Sequence, residues 1–122
     1  MKKSALIVLL LIMTGVTTSL ISQELNGKDL FRTNCKACHA LDQNMVGPAL
    51  LGVTQRRDSV WLHNFIKNSQ AMIEAGDSIG TALFARYNQV IMPPQDLTDN
   101  EINSILSYIE DAEMESNAKE GL

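Results

Sequence analysis

Three observations predict a small all-α fold. No stretch shows the period-two alternation of a half-buried strand. Apolar residues instead recur at helical spacing around Phe31, Trp61, Leu83 and Ile105. Helix-starting side chains and turn-forming Gly-Pro and Pro-Pro pairs punctuate those stretches.

The first helix lies within Gln23 to Ala40, after a short lead-in. Gly27, Phe31 and Cys35 are four residues apart and share one stripe. A glycine there lets another helix approach closely, besides starting the helix. Ala40 to Thr54 contains Gly47-Pro48 and Gly52 and reads as loop. Asp58 caps a second helix running to about Asn68, with Val60, Trp61, Leu62, Phe65 and Ile66 inward. Asn64, Lys67 and Asn68 face water, and His63 reads as a solvated helix histidine. Ser69 to Gly76 reads as a break. Asp77 or Ser78 then caps a helix to about Asn88, with Ile79, Leu83, Phe84 and Tyr87 inward. The run Ile91-Met92-Pro93-Pro94-Gln95-Asp96 is not helical, because two prolines fix φ and remove backbone donors. Thr98-Asp99-Asn100-Glu101 matches a capping box, and Ile102, Ile105, Leu106 and Ile109 form the apolar face of the last helix. Beyond Glu110 the chain turns acidic. Negative charge at a helix end opposes the macrodipole, so residues 112–122 are expected to fray.

The chain of 122 residues has room for one domain, residues 23–111. Residues 1–22 have the layout of a secretory signal: Lys2 and Lys3, an apolar run from Ala5 to Met13, then small polar residues. Cleavage is placed after Ser19 or Ser22. The competing reading is an uncleaved anchor over residues 5–21, marginal against the roughly 20 apolar residues of a span. No cysteine follows the apolar run, so lipid attachment has no site there.

Net charge is −4, and loss of Lys2 and Lys3 makes the remainder more acidic still. That balance argues against nucleic acid or an anionic membrane surface as partner. It favours a protein partner with a basic or neutral patch.

Chemistry is concentrated in Cys35-Lys36-Ala37-Cys38-His39. Two cysteines spaced by two residues and followed by histidine form the pattern for covalent attachment of c-type haem. On a helical turn both thiols reach the vinyl groups on one porphyrin edge, and the next residue brings an imidazole beneath the iron. Thiol–disulfide exchange would want a βαβ context, and a zinc site would want a second ligand pair. The chain has only two cysteines, and its other histidine is His63. A buried porphyrin would also enlarge the modest core of a domain of about 100 residues. Aromatic content of 5% fits that picture.

With these residues placed, Gly27 to Glu110 resembles class I monohaem cytochrome c of the bacterial exported type. The resemblance rests on Gly27-x3-Phe31-x3-Cys35-x2-Cys38-His39, Gly47-Pro48, Met92-Pro93 and Leu97-Thr98-Asp99-Asn100-Glu101-Ile102, followed by Tyr108. It implies a cytochrome c-like fold of about four helices around one covalently attached haem. Cys35 and Cys38 are then the thioether anchors, His39 the proximal iron ligand and Met92 the distal one. Pro48 would offer its carbonyl to the other nitrogen of His39. The first and last helices would cross, Gly27 and Phe31 meeting Ile105 and Tyr108. The segment from Pro48 to Met92 departs from the family pattern, and the lysine ring of mitochondrial members is absent.

Six methionines compete for the iron. Met1 and Met13 fall in the leader, Met114 in the tail, and Met45 is too near His39 in sequence. Met92 sits in a rigid proline-bounded loop, with Met72 and His63 as its rivals. Arg56 and Arg57 read equally as partners of the haem propionates or as a solvated pair. Trp61 reads as core, with an indole N–H that could also reach a propionate.

Imidazole and thioether together leave no exchangeable position, which makes the expected function one-electron transfer between respiratory partners through small, short-lived interfaces. The expected protein is a periplasmic monomer without catalytic residues. The alternatives are a gas-binding or peroxidatic haem protein, which needs a displaceable sixth ligand, and an electron-entry subunit of a larger oxidoreductase complex.

Overall fold

The computed structural model describes residues 26–122. The leader expected at residues 1–22 lies outside them. Helices α1 (Gly27–Asn34), α2 (Val53–Arg56), α3 (Ser59–Glu74), α4 (Ser78–Arg86) and α5 (Asp99–Glu120) account for the regular structure. No strand occurs among the described residues. The fold is all-α, as the sequence predicts.

Helix α1 begins at Asn26, whose side chain accepts the Lys28 N–H at 3.0 Å. It crosses α5 at Gly27, where a Cβ would overlap the Ser104 carbonyl oxygen and lie 3.1 Å from the Tyr108 Cβ. One turn later the Phe31 ring meets Tyr108, with centroids 5.5 Å apart and planes tilted by 56°. Around this crossing Phe31, Leu62, Ile102, Ile105, Leu106 and Ile109 form the buried core. Each such side chain stabilises the fold by roughly 1.5–3 kcal/mol relative to exposure.

The capping box of α5 is complete. Thr98 accepts the Glu101 N–H, and Glu101 accepts the Thr98 N–H at 2.7 Å. Those bonds, the backbone one first, hold the Glu101 carboxyl below its usual range. The helix continues to Glu120 and does not stop near Glu110, which corrects the expected fraying of residues 112–122. Ala112, Glu113 and Ser116 are half-buried rather than solvated, and Glu113 lies against Gly52. Lys119 in the last turn also offsets the acidic run against the macrodipole.

Asp58 caps α3 by accepting the Trp61 N–H at 2.9 Å. Leu62 is buried and Trp61, Phe65 and Ile66 half-buried, but Val60 is 70% exposed and does not belong to the inward face. Two residues from Leu62, it lies some 200° round the helix from it. The helix breaks where the sequence ends it, at Asn68 (φ −161°, ψ 85°). The expected break over residues 69–76 is otherwise corrected, because Ser69–Glu74 resumes as helix. Asn68 accepts the Ala71 N–H at 3.0 Å and so caps the restart.

His63 is not simply solvated. Its side chain is 15% exposed, with Nδ1 3.0 Å from Asp99 Oδ1 and Nε2 2.9 Å from Asn103 Oδ1. Lys67 reaches the same Asp99 oxygen at 2.6 Å. The group ties α3 to the start of α5. Hydrogen bonds from Lys67 first, then His63, hold the Asp99 carboxyl below the usual carboxylate range.

Asp77 caps α4 through the Gly80 N–H at 2.6 Å. After Arg86 the chain turns sharply, with Asn88 (φ 57°) and Gln89 (φ 59°) both left-handed. That reversal starts the irregular segment 90–98. Helix α2 is new relative to the sequence reading. It follows Gly52, whose φ of 73° suits glycine.

Two outcomes follow from this packing. Gly27→Ala forces a methyl into the α1–α5 crossing and is expected to cost about 2–3 kcal/mol, read as a lowered urea midpoint by circular dichroism. Asp99, with a depressed folded-state pKa, contributes stability that is full above the usual carboxylate range and is lost as pH falls through its folded value. The difference in midpoint between the wild-type protein and Asp99→Asn at neutral pH should therefore close as the solution is acidified.

Candidate functional site

Where α1 ends, Cys35 caps it, its N–H donating to the Phe31 carbonyl at 2.8 Å. The Cys35 carbonyl then accepts two N–H groups, from Cys38 at 3.1 Å and from His39 at 2.9 Å. One tight turn therefore carries both thiols and the imidazole. The Gly47 N–H donates to the Cys38 carbonyl at 2.8 Å, which folds the following loop back onto the turn. Against that loop His39 Nδ1–H donates to the Pro48 carbonyl at 2.8 Å. The bond fixes the tautomer and leaves Nε2 as the ring nitrogen with a lone pair. A Cβ on Gly47 would run into the His39 ring, so only glycine lets the loop lie so close.

Cys35, Cys38, His39 and Pro48 line a largely apolar cleft, with Leu62, Phe65, Ile66 and the α5 side chains Ile105, Leu106 and Ile109. Met92 lines the same cleft, between Ile91 and Pro93. Its loop is held by the Ser69 hydroxyl, which donates to the Met92 carbonyl at 2.9 Å, and by the Gln95 N–H, which donates to Ile66 at 3.3 Å. The structure thus brings Cys35, Cys38, His39 and Met92 to one cleft. It does not bring Met72 or His63 there. Met45 and Met114 are exposed, and neither lines the cleft.

The indole N–H of Trp61 donates to both Asp77 oxygens at 3.1 and 3.2 Å, while the ring stacks on Phe65 with centroids 4.5 Å apart. Trp61 lines the cleft through its ring, and its donor is engaged elsewhere. Arg56 donates to the Leu51 carbonyl at 2.7 Å, and Arg57 leans over Trp61 with its guanidinium 5.7 Å from the ring centroid. Neither arginine lines the cleft. Sequence reasoning missed Ser69 and Gln95. A polar Asn68-Ser69-Gln70 interrupting an apolar pattern is the signal that could have found Ser69.

The chemistry of the turn can be read from its surroundings. Cys35 and Cys38 are not bonded to one another, and burial pushes the Cys35 thiol up to about 11. A thiol so protonated at neutral pH is poorly suited to thiol–disulfide exchange, which works through the thiolate. Among the described residues no three His, Cys, Asp or Glu side chains gather into a metal cluster, so a zinc site has no support. Two thiols, an imidazole with one free nitrogen and a thioether around apolar walls suit a flat apolar macrocycle carrying a soft metal.

Comparison with known proteins points the same way. A sequence model of the family described as Cytochrome c matches residues 25–113. Cytochrome c-551 of Azotobacter vinelandii is 27% identical over 84 residues, which span 68% of this chain and 93% of that protein. The structure of cytochrome c from Rhodothermus marinus superposes with a TM-score of 0.68 at 33% identity, covering 74% of this chain and 76% of that one. The cytochrome c domain of the pp3183 protein from Pseudomonas putida gives 0.65 at 36% identity, covering 72% and 88%.

The contact of Gly47 with the His39 ring carries its own test. In proton NMR the His39 Nδ1 proton is expected to exchange slowly with solvent. Gly47→Ala, by levering the ring off Pro48, should speed that exchange about tenfold.

Proposed function

Because the chain belongs to the cytochrome c family and is a monohaem electron carrier of the exported bacterial type, we propose how its own residues do that work. Cys35 and Cys38 hold one haem c through thioether bonds, and His39 and Met92 are the two iron ligands. The observation that carries this reading is that His39, locked on Pro48, and Met92, locked on Ser69, line one apolar cleft.

When bound, haem c supplies an iron centre that changes by one electron. His39 presents Nε2 in one tautomer and one ring orientation, because Nδ1–H stays on the Pro48 carbonyl. Met92 presents a neutral sulfur, which favours the lower oxidation state. The apolar cleft walls disfavour additional positive charge, so both features raise the potential. Since both ligands are neutral, neither needs to gain or lose a proton at either redox state. With both side chains serving as ligands, water and small molecules would be kept from the metal, and the protein would carry electrons without catalysing a reaction.

The cleft rim is where partners dock. Val46, Val90 and Ile91 line the cleft and are about half exposed, with Met45 beside them. A small apolar rim on an acidic protein suits brief docking to a respiratory partner with a basic or neutral surface. The protein works as a monomer in the periplasm, reached through the leader of residues 1–22. Membrane contact would follow only if residues 5–21 stayed uncleaved. Among the described residues no helix is long and apolar enough to cross a membrane.

Substitution separates the ligand from its rival. Met92→Ala should convert low-spin iron to a high-spin or water-ligated form, admit carbon monoxide to the reduced protein and lower the potential. Met72→Ala should leave the visible spectrum nearly unchanged. Exchange of these two results would place the sulfur ligand on Met72, and an intact mass without one porphyrin adduct would remove the haem altogether.

A further inference from the structure

We propose that the break of α3 at Asn68 holds the Met92 loop in place, with Ser69 as its positioning residue; the inference rests on Met92 being an iron ligand. Pro93 and Pro94 have no N–H, so the stretch after Met92 is rich in acceptors and poor in donors. Within the loop the Gln95 side-chain amide donates to the Pro93 carbonyl at 2.9 Å, while the Met92 carbonyl takes its donor from outside.

Ser69 supplies one. It is 1% exposed, and its hydroxyl donates to the carbonyl of Met92 itself, 23 residues away in sequence. In an uninterrupted helix a serine hydroxyl commonly turns back to the carbonyl four residues earlier. Here the non-helical backbone at Asn68 precedes Ser69, and its hydroxyl reaches across to the loop. The same break leaves carbonyls at the end of the first helical segment without partners along the helix. One of them, on Ile66, accepts the Gln95 N–H. The two bonds bracket the prolines, one on Met92 and one just beyond Pro94. Asn68, capping the restart through Ala71, keeps Ser69 on a defined helical turn. Ser69 itself lines the cleft, but its hydroxyl is engaged by the Met92 carbonyl, and it acts through Met92.

Loss of the Ser69 hydroxyl should let the loop open more often, and an external ligand can then take the position Met92 leaves. Apparent affinity for such a ligand scales with the open population. The test is imidazole titration of the oxidised, haem-loaded full chain, followed by visible absorption alongside urea midpoints. Ser69→Ala should bind imidazole about tenfold more tightly than the wild type. The control is Ile102→Val, which trims the buried core away from the cleft and lowers global stability. It should leave imidazole affinity unchanged. Equal gains in the two variants would mean that Ser69 acts through overall stability, and no gain in Ser69→Ala would mean that it does not hold the loop; either overturns the proposal. If Met92→Ala binds imidazole no better than the wild type, the ligand assignment itself fails and takes this inference with it.

Discussion

The approach of Gly27 to the Ser104 carbonyl sets the geometry on which the rest of the structure depends. With no Cβ between them, the backbones of α1 and α5 meet directly, and Phe31 is carried one turn on into contact with Tyr108. The end of α1 is thereby fixed against the core. From that end the Cys35 carbonyl gathers the Cys38 and His39 N–H groups, so the placement of one helix is passed to both thiols and the imidazole. Glycine recurs at the next step for the same reason. Gly47 lets the loop lie against His39 closely enough for Pro48 to accept its proton. Two missing side chains thus position one ring.

The other half of the site is positioned differently. Met92 lies in a segment without regular structure, reached through a left-handed turn at Asn88 and Gln89. Such a turn is uncommon outside glycine, and Gln89 has less local compensation than an asparagine. The loop is fixed from α3, through Ser69 and Ile66, and at its far end by the capping box of α5. His63 and Lys67, both directed at Asp99, bind α3 to that cap. Helix α3, on either side of its break, therefore holds both the middle and the end of the segment bearing the methionine. Polar groups do this work near the cleft while its walls stay apolar, an arrangement that limits charge around a buried redox centre.

What the sequence made legible was mainly what is decided locally. Asp58, Asp77 and Thr98 start helices because a side-chain oxygen answers an orphan N–H within three residues. Pro93 and Pro94 exclude helix by their own geometry. Cys35, Cys38 and His39 come together for the same reason, within one turn, whereas Met92 reaches their cleft from a loop far along the chain. Less legible features depend on partners far along the chain. Helix resumes at Ser69, whose hydroxyl finds its acceptor on Met92 only 23 residues later. His63 is enclosed because Asp99 and Asn103 come up from another helix. Val60 faces outward although it is apolar, since composition alone does not say where the helix axis points. The tail of α5 is ordered by half-buried side chains that a reading of charge overlooks.

Fold and cofactor site also share their atoms. Leu62, Ile105, Leu106 and Ile109 belong to the buried core and at the same time line the cleft. A domain this small buries a modest apolar area, so each of those side chains matters to its stability. Any group seated in the cleft removes more of their surface from water in the folded chain than in the unfolded one. Binding that favours the folded chain over the unfolded one stabilises the fold by linkage. The contacts that would keep water from a group held there therefore contribute to folding, and a weakened cleft wall should loosen the core and the cleft together. The Met92 loop stands partly outside this coupling. Held by a few hydrogen bonds rather than by the shared apolar walls, it is the part of the site that can yield while the core remains folded.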